Sequence, residues 1–242
     1  MKLPDSINIR LIFASALCIM LSSCIHYVYI PNSVNVPLLK EKNELHLSGI
    51  MGTGEYISTT EAQASYAITK ELGLMGSYMQ ARGGTSTDGG KGQYGDLALG
   101  YFKPFKNDIV LEIYGGAGTS NQNHWFNQLN TVYTIRFNKY FIQPSFGYSL
   151  KNFEFAFSTR FSFLDFKPDS SIVPLYNIAV PDNKTILLYE PALTLRAGWK
   201  YIKLQLQFVM AYPANGARLS MEQGNANLGL YFSLARRYHR SN

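Results

Sequence analysis

The stretch Phe153-Glu154-Phe155-Ala156-Phe157-Ser158-Thr159-Arg160-Phe161-Ser162-Phe163 decides the fold. Phe153, Phe155, Phe157, Phe161 and Phe163 fall on one parity, while Glu154, Ala156, Ser158, Arg160 and Ser162 fall on the other. Successive side chains of a β-strand point to opposite faces, so this is a strand with one oily face and one polar, ionic face. Ile202 to Met210 repeats the pattern, with Ile202, Leu204, Leu206, Phe208 and Met210 opposite Lys203, Gln205 and Gln207. So do Leu187, Tyr189, Pro191, Leu193 and Leu195 against Glu190, Thr194 and Arg196, and Ile109, Leu111 and Ile113 against Glu112 and Tyr114.

Read outward from there, period-2 alternation recurs from Glu44 to the end, and nothing of comparable length reads as a helix. Ten strands are predicted, at 44–53, 59–68, 71–82, 93–103, 108–119, 131–149, 153–166, 186–197, 201–212 and 225–237. The sixth changes phase around Asn138 and Lys139, which predicts a bulge. Connections alternate between short (69–70, 104–107, 151–152, 198–200) and long (83–92, 120–130, 167–185, 213–224). An even strand number with short turns at one end and long loops at the other is the signature of a transmembrane barrel. The expected fold is therefore all-β, an antiparallel up-and-down transmembrane β-barrel of about ten strands, with eight as the alternative count.

Composition agrees. Only 16% of the 242 residues are charged and 14% are aromatic, which suits a surface facing lipid, and the net charge of +6 is dispersed rather than gathered into a nucleic-acid-binding stripe. After Cys24 no apolar run is long enough for a spanning helix, so any crossing must use strands. A Lys or Arg facing lipid near mid-membrane costs about 2–4 kcal/mol, and the apolar faces hold none.

The chain opens with Lys2 and Arg10 before an apolar run from Leu11 to Leu21, then Ser22-Ser23-Cys24. The run is too short to span a bilayer and reads as a signal peptide. Leu21-Ser22-Ser23-Cys24 resembles a bacterial lipobox, which implies lipidation, diacylglycerol with palmitate-type chains, on Cys24. Four parts follow: a signal peptide at 1–23, a lipid-anchored tether at 24–43 entering the barrel from its periplasmic end, one barrel domain at 44–238, and a tail at 239–242.

Asn227-Leu228-Gly229-Leu230-Tyr231-Phe232-Ser233-Leu234 is similar to the assembly signal of outer-membrane barrels through Asn227, Gly229, Phe232 and Leu234. With Tyr29, Pro31, Asn35-Val36-Pro37-Leu38-Leu39 and Asn138-Lys139-Tyr140-Phe141-Ile142-Gln143-Pro144, the mature chain resembles the outer-membrane β-barrel (lipo)proteins of Bacteroidota-type bacteria, within the OmpA/OmpX-like porin superfamily at fold level. The resemblance implies an outer-membrane location, contact with outer-membrane lipid, the barrel assembly machinery as a partner, and an envelope protein as a further partner. It brings no activity with it.

The face opposite the oily one carries Glu44, His46, Glu61, Asp96, Glu112, Glu154, Arg160, Glu190, Arg196 and Lys203. Acids and bases mixed on one face predict an ionic network filling a narrow lumen, with Glu112, Glu154, Arg160, Glu190, Arg196 and Lys203 at its centre. The sharper reading is an ion path or a carboxylate pair among Glu112, Glu154 and Glu190. Of four His, His124 is placed in an outer loop, beside Trp125, as an outer-loop binding candidate. The Gly-rich run Gly83–Gly92 reads as another outer loop. Phe126, Tyr78, Tyr133, Phe166, Tyr189 and Tyr212 are assigned to an outer aromatic girdle, and Trp199, Tyr201, Phe105 and Tyr101 to an inner one. No metal site, cofactor, catalytic residue or nucleic-acid partner is expected. The function expected is a structural or interaction role in the cell envelope. A periplasmic lipid-anchored barrel that binds a small apolar ligand, or a rim enzyme acting on lipid or peptide, stands as the alternative.

Overall fold

The computed structural model describes residues 27–126, 131–167, 185–214, 216 and 219–238. The signal peptide, Cys24, the tail 239–242 and most of the connection 167–185 lie outside the described residues.

The strands are β1 (Leu45–Thr53), β2 (Ile57–Ala67), β3 (Leu72–Gly84), β4 (Gly89–Pro104), β5 (Ile109–Phe126), β6 (Thr131–Ser149), β7 (Phe153–Phe166), β8 (Ile186–Gly198), β9 (Ile202–Met210), β10 (Tyr212–Pro213) and β11 (Gly224–Leu234). From β1 to β9 each strand pairs antiparallel with the next, β9 pairs with β11, and β11 pairs with β1, so the sheet closes on itself. The pair β10 continues β9 in one register against β8, since Val209 faces Ala192 and Tyr212 faces Tyr189. The wall is thus a closed barrel of ten strands. Closure leaves no ladder edge open, as a bilayer demands of any backbone that crosses it.

Alternation is complete from strand to strand. In β7 the even residues Glu154, Ala156, Ser158, Arg160, Ser162 and Leu164 are buried, while Phe153, Phe157, Phe161 and Phe163 are exposed on the outer surface. Leu97, Leu99, Ile113, Tyr140, Ile142, Leu204, Phe208, Leu228 and Leu230 extend that exposed apolar surface around the barrel. An apolar belt of this extent is stable only against lipid.

Three sequence expectations change. First, β6 has no bulge: its register against β5 is unbroken from Thr131 to Tyr148, and its odd residues from Tyr133 to Ser149 face inward. The apparent phase change arises because Ile135, Phe137 and Phe141 are apolar yet point inward. Its ladder with β7 skips Gln143 and Pro144, where proline supplies no N–H.

Second, the expected loops 83–92 and 120–130 are mostly strand. β3 and β4 run on to a four-residue turn at Thr85–Asp88, and β5 continues to Phe126. Above the membrane neither face has to be apolar, so the hydropathy alternation fades while the ladder continues. Outward-facing Gln80, Arg82, Lys91, Gln93, Asn121 and Asn123 mark this polar extension.

Third, the segment expected to be an external tether lies inside. Val28, Tyr29, Asn32, Ser33, Val34, Val36, Leu38 and Leu39 are all buried, and their partners are lumen-facing residues from strands all round the wall. Two wall glycines let the segment approach: a Cβ at Gly147 would lie 2.4 Å from Leu38 Cδ2, and one at Gly73 would lie 2.8 Å from Leu39 Cδ1. The segment turns back into β1 through Asn43, which adopts a left-handed conformation (φ 64°).

Candidate functional site

The lumen is the site, and residues 27–40 are its centre. An extended chain inside a barrel has no strand beside it, so its backbone polar groups need side-chain partners from the wall. They receive them in series. Gln122 Nε2 donates to Val28 O (3.1 Å), Gln63 Nε2 donates to Ser33 O (3.0 Å) and Gln143 Nε2 donates to Asn35 O (2.7 Å). Gln207 takes both groups of one residue, donating to Val34 O and accepting from Val34 N–H, each at 2.8 Å. Glu61 accepts from Ser33 N–H (3.0 Å), Glu112 accepts from Leu39 N–H (3.0 Å), and the Tyr231 hydroxyl donates to Pro37 O (3.0 Å). Pro31 and Pro37 have no N–H to satisfy.

Two ionic clusters grip the segment, both built on the β7–β8 ladder. In the cluster nearer the long-loop end, Arg160 and Glu190 face each other directly across the strands. Arg160 Nε donates to Glu190 Oε2 (3.0 Å), and its Nη2 donates to Asn32 O (3.2 Å) and Asn32 Oδ1 (2.9 Å). Lys139 of β6 completes the group: its Nζ lies 3.1 Å from Glu190 Oε2 and donates to the Tyr29 hydroxyl (2.6 Å). That hydroxyl donates to Glu190 Oε1 (2.5 Å), and Ser162 donates to Glu190 Oε2.

In the cluster nearer the short-turn end the charges swap strands, with Glu154 on β7 facing Arg196 on β8. Arg196 Nη1 donates to Glu154 Oε2 (2.9 Å), Nη2 to Val36 O (2.8 Å) and Nε to Gln205 Oε1 (2.6 Å). Lys203 donates to Glu154 Oε1 (2.6 Å), and the Arg196 guanidinium lies 3.8 Å from the Tyr231 ring centre. Each carboxylate sits between two cations and is hydrogen-bonded besides, the condition under which buried charge is tolerated.

Of the residues singled out in the sequence, the structure places Arg160 with Glu190, and Glu154 with Arg196 and Lys203. Glu112 stands apart, engaged with the segment's backbone, so the three carboxylates Glu112, Glu154 and Glu190 do not meet in one group. Lys139 belongs to the first cluster and was missed, because the assumed bulge obscured its face.

His124 and Trp125 are not in a loop. Both lie on β5, where His124 is buried and points into the outer mouth, its Nε2 3.3 Å from Gln122 Oε1, while Trp125 points outward and donates to Thr85 O (3.0 Å). Neighbours on a strand point to opposite faces, so the two cannot converge on one ligand. Phe126, Tyr133 and Phe166, assigned to the outer girdle, share the inward parity of their strands and pack around Val28 and Ile135 as an apolar lid over the mouth. The assembly-signal residues lie on β11, with Phe232 and Leu234 outward and Asn227 and Gly229 inward.

At the short-turn end, Glu44 accepts from Lys40 N–H (2.8 Å) and Glu41 N–H (3.2 Å) and pairs with His46 Nε2 (2.8 Å) and Arg237 Nη2 (2.5 Å). Burial works to raise the Glu44 carboxyl, but His46 and Arg237 outweigh it and hold the pKa down to about 2. Arg237 follows β11, so this carboxylate ties the turn before the first strand to the chain after the last. Among the described residues, no three His, Cys, Asp or Glu side chains are placed to share a metal ion.

No family model and no curated protein matches the sequence. Solved structures do. An outer membrane channel from Pseudomonas putida F1 aligns over 84% of this chain and 100% of its own, with TM-score 0.47 and 10% identity. The translocator domain of the autotransporter NalP from Neisseria meningitidis aligns over 93% and 95%, with TM-score 0.43 and 11% identity. The N-terminal β-barrel domain of Pseudomonas aeruginosa OprF aligns over 81% and 100%, with TM-score 0.36 and 11% identity. Likeness at this level carries neither a ligand nor a reaction across. The chain itself is a closed ten-stranded antiparallel barrel with an apolar outer belt and a filled lumen.

Proposed function

We propose that this chain is an outer-membrane β-barrel lipoprotein with a structural or interaction role in the envelope, non-catalytic and closed to solutes by its own amino-terminal segment. The observation that carries this reading is the occupied lumen: residues 28–39 pass through it with their backbone groups bonded to the wall. Ten strands enclose more room than wall side chains alone fill, and the segment takes up the difference. The apolar belt would contact outer-membrane lipid, and the β11 motif would be presented to the assembly machinery. The rival carrier of a small apolar ligand needs an open, oily interior; here the inward apolar residues pack against the segment and one another, and charged and amide side chains hold the rest of the lumen. A rim enzyme would need His124 open to substrate, and His124 is buried beside the segment.

The test is conductance of the folded full-length protein in a planar lipid bilayer. Wild type is expected to show no steady current. Gly147→Val, which places bulk against Leu38, is expected to loosen the segment and admit intermittent current. A stable ohmic conductance from wild type would overturn the closed-barrel reading.

A further inference from the structure

The direction in which residues 27–40 run through the lumen has a consequence for the amino terminus. At one end, Val28 N–H and Tyr29 N–H donate to Ser220 O (2.8 and 3.3 Å), and Glu222 N–H donates to Tyr29 O (3.0 Å). Tyr29 also forms a parallel bridge with Met221. Ser220, Met221 and Glu222 belong to the connection between β10 and β11, on the long-loop side. Tyr27 lines the mouth with Gly84, Asp88 and Gly90, at the turn between β3 and β4 on that same side.

At the other end, Leu39 N–H reaches Glu112 and its side chain packs with Ala67 and Phe102, while Lys40 Nζ donates to Asp108 Oδ1 (2.8 Å). Those residues lie at the short turns. The segment therefore enters at the long-loop end, descends the whole barrel, reverses at Asn43 and rises again as β1.

We infer that the chain ahead of Tyr27 leaves the barrel at the long-loop end and is displayed on the cell surface, so that an acyl group on Cys24, as the lipoprotein reading above has it, would sit in the outer leaflet. Three residues span at most about 11 Å, so Cys24 cannot return to the opposite end. The first and last parts of the mature chain then stand on opposite sides of the membrane, since β11 ends at the short turns beside Glu44. This reverses the periplasmic tether expected from the sequence. Naming the long-loop end the outside rests on the outer-membrane reading above; the threading of the segment does not.

The test is antibody labelling of intact cells expressing the full chain, with one epitope per variant: between Ile25 and His26, between Ser86 and Thr87, or after Lys151 in the turn between β6 and β7. The first two are expected to label intact cells equally, and the third only after permeabilisation. If the 25/26 epitope labels only with the 151 epitope, the threading is overturned while the barrel stands. If the 25/26 and 86/87 epitopes label together only after permeabilisation, the surface assignment is overturned, and with it the outer-membrane orientation, but not the threading.

Should the 25/26 insertion prevent folding, a Val28→Cys/Ser220→Cys pair gives an independent readout. It is expected to form a disulfide in folded protein, seen as a mobility change reversed by reductant. A folded protein whose pair stays reduced under oxidation would overturn the inference.

Discussion

The two ionic clusters on the β7–β8 ladder have the same composition, one carboxylate between an Arg and a Lys, yet they hold the luminal segment in different ways. The Arg160–Glu190–Lys139 cluster takes in side chains of the segment itself, the Tyr29 hydroxyl and Asn32 Oδ1. The Glu154–Arg196–Lys203 cluster touches only its backbone, through Val36 O. One cluster therefore depends on what the segment's residues are, and the other only on a chain being there. Sequence-dependent contact near the outer mouth and sequence-tolerant contact below it would fix the register of the segment from the top.

Breaking the first cluster should have the largest effect. Glu190→Ala takes away the carboxylate that joins Arg160 to Lys139, and a loss of about 3–5 kcal/mol is expected, read as the urea midpoint of the heat-modifiable band in detergent micelles. Glu154→Ala should cost less, because Arg196 keeps Gln205, Val36 O and the Tyr231 ring. Equal losses would show that the clusters are interchangeable.

Acid sharpens the contrast from below. Because the Glu44 pKa in the fold, about 2, lies under the usual carboxylate value, its contribution is complete above about pH 4.5 and is lost as pH falls toward 2. The midpoint of wild type should drop between pH 5 and pH 3, and the part of that drop missing in Glu44→Gln, at most about 3 kcal/mol, belongs to this carboxylate. An identical drop in the variant would assign acid sensitivity to the luminal clusters instead.

Tyr29→Phe removes one hydroxyl from the first cluster and touches nothing in the second. A loss of about 1.5–3 kcal/mol is expected, since both its partners are charged. It should shrink in a Glu190→Ala background, where Lys139 alone remains to meet the hydroxyl. Trp125→Phe lies outside both clusters and should cost only about 0.5–1.5 kcal/mol, for its bond to Thr85 O. A larger effect would mean that the polar extension of β3–β5 is coupled to the lumen.

Much of the wall was legible in the residues. Where a strand crosses lipid, one face must be apolar and the other must not, so Phe153–Phe163 and Ile202–Met210 declare their parity outright. The inward charges Glu154, Arg160, Glu190, Arg196 and Lys203 followed from the same parity. The parts that were misread are those where that constraint lapses. Gly83–Gly84, Gly89–Gly92 and Ser120–Phe126 are strand above the membrane, where no alternation is enforced. Lys139 was hidden by inward Phe137 and Phe141, which are apolar because they pack in the lumen rather than against lipid.

The luminal segment was misread for a related reason. Surrounded by wall on every side, Tyr27–Leu39 has no solvent face and hence no period. One signal was available: no Lys, Arg, Asp or Glu occurs between Ile25 and Leu39, whereas a linker in water is usually polar or charged.

By itself, then, the sequence determined that the chain is a run of about ten amphipathic strands, which residues of a membrane-crossing strand share a face, and the pool of charges on the polar one, because each of these is a local consequence of a chain alternating between two surroundings. Which charge meets which, and that the first fourteen described residues run down the barrel from the loop end, were decided only by closure. Pairing β1 with β11 makes an interior with a fixed volume, and filling it brings Tyr29 to Glu190 and Val36 to Arg196, partners some 160 residues apart that no local pattern encodes.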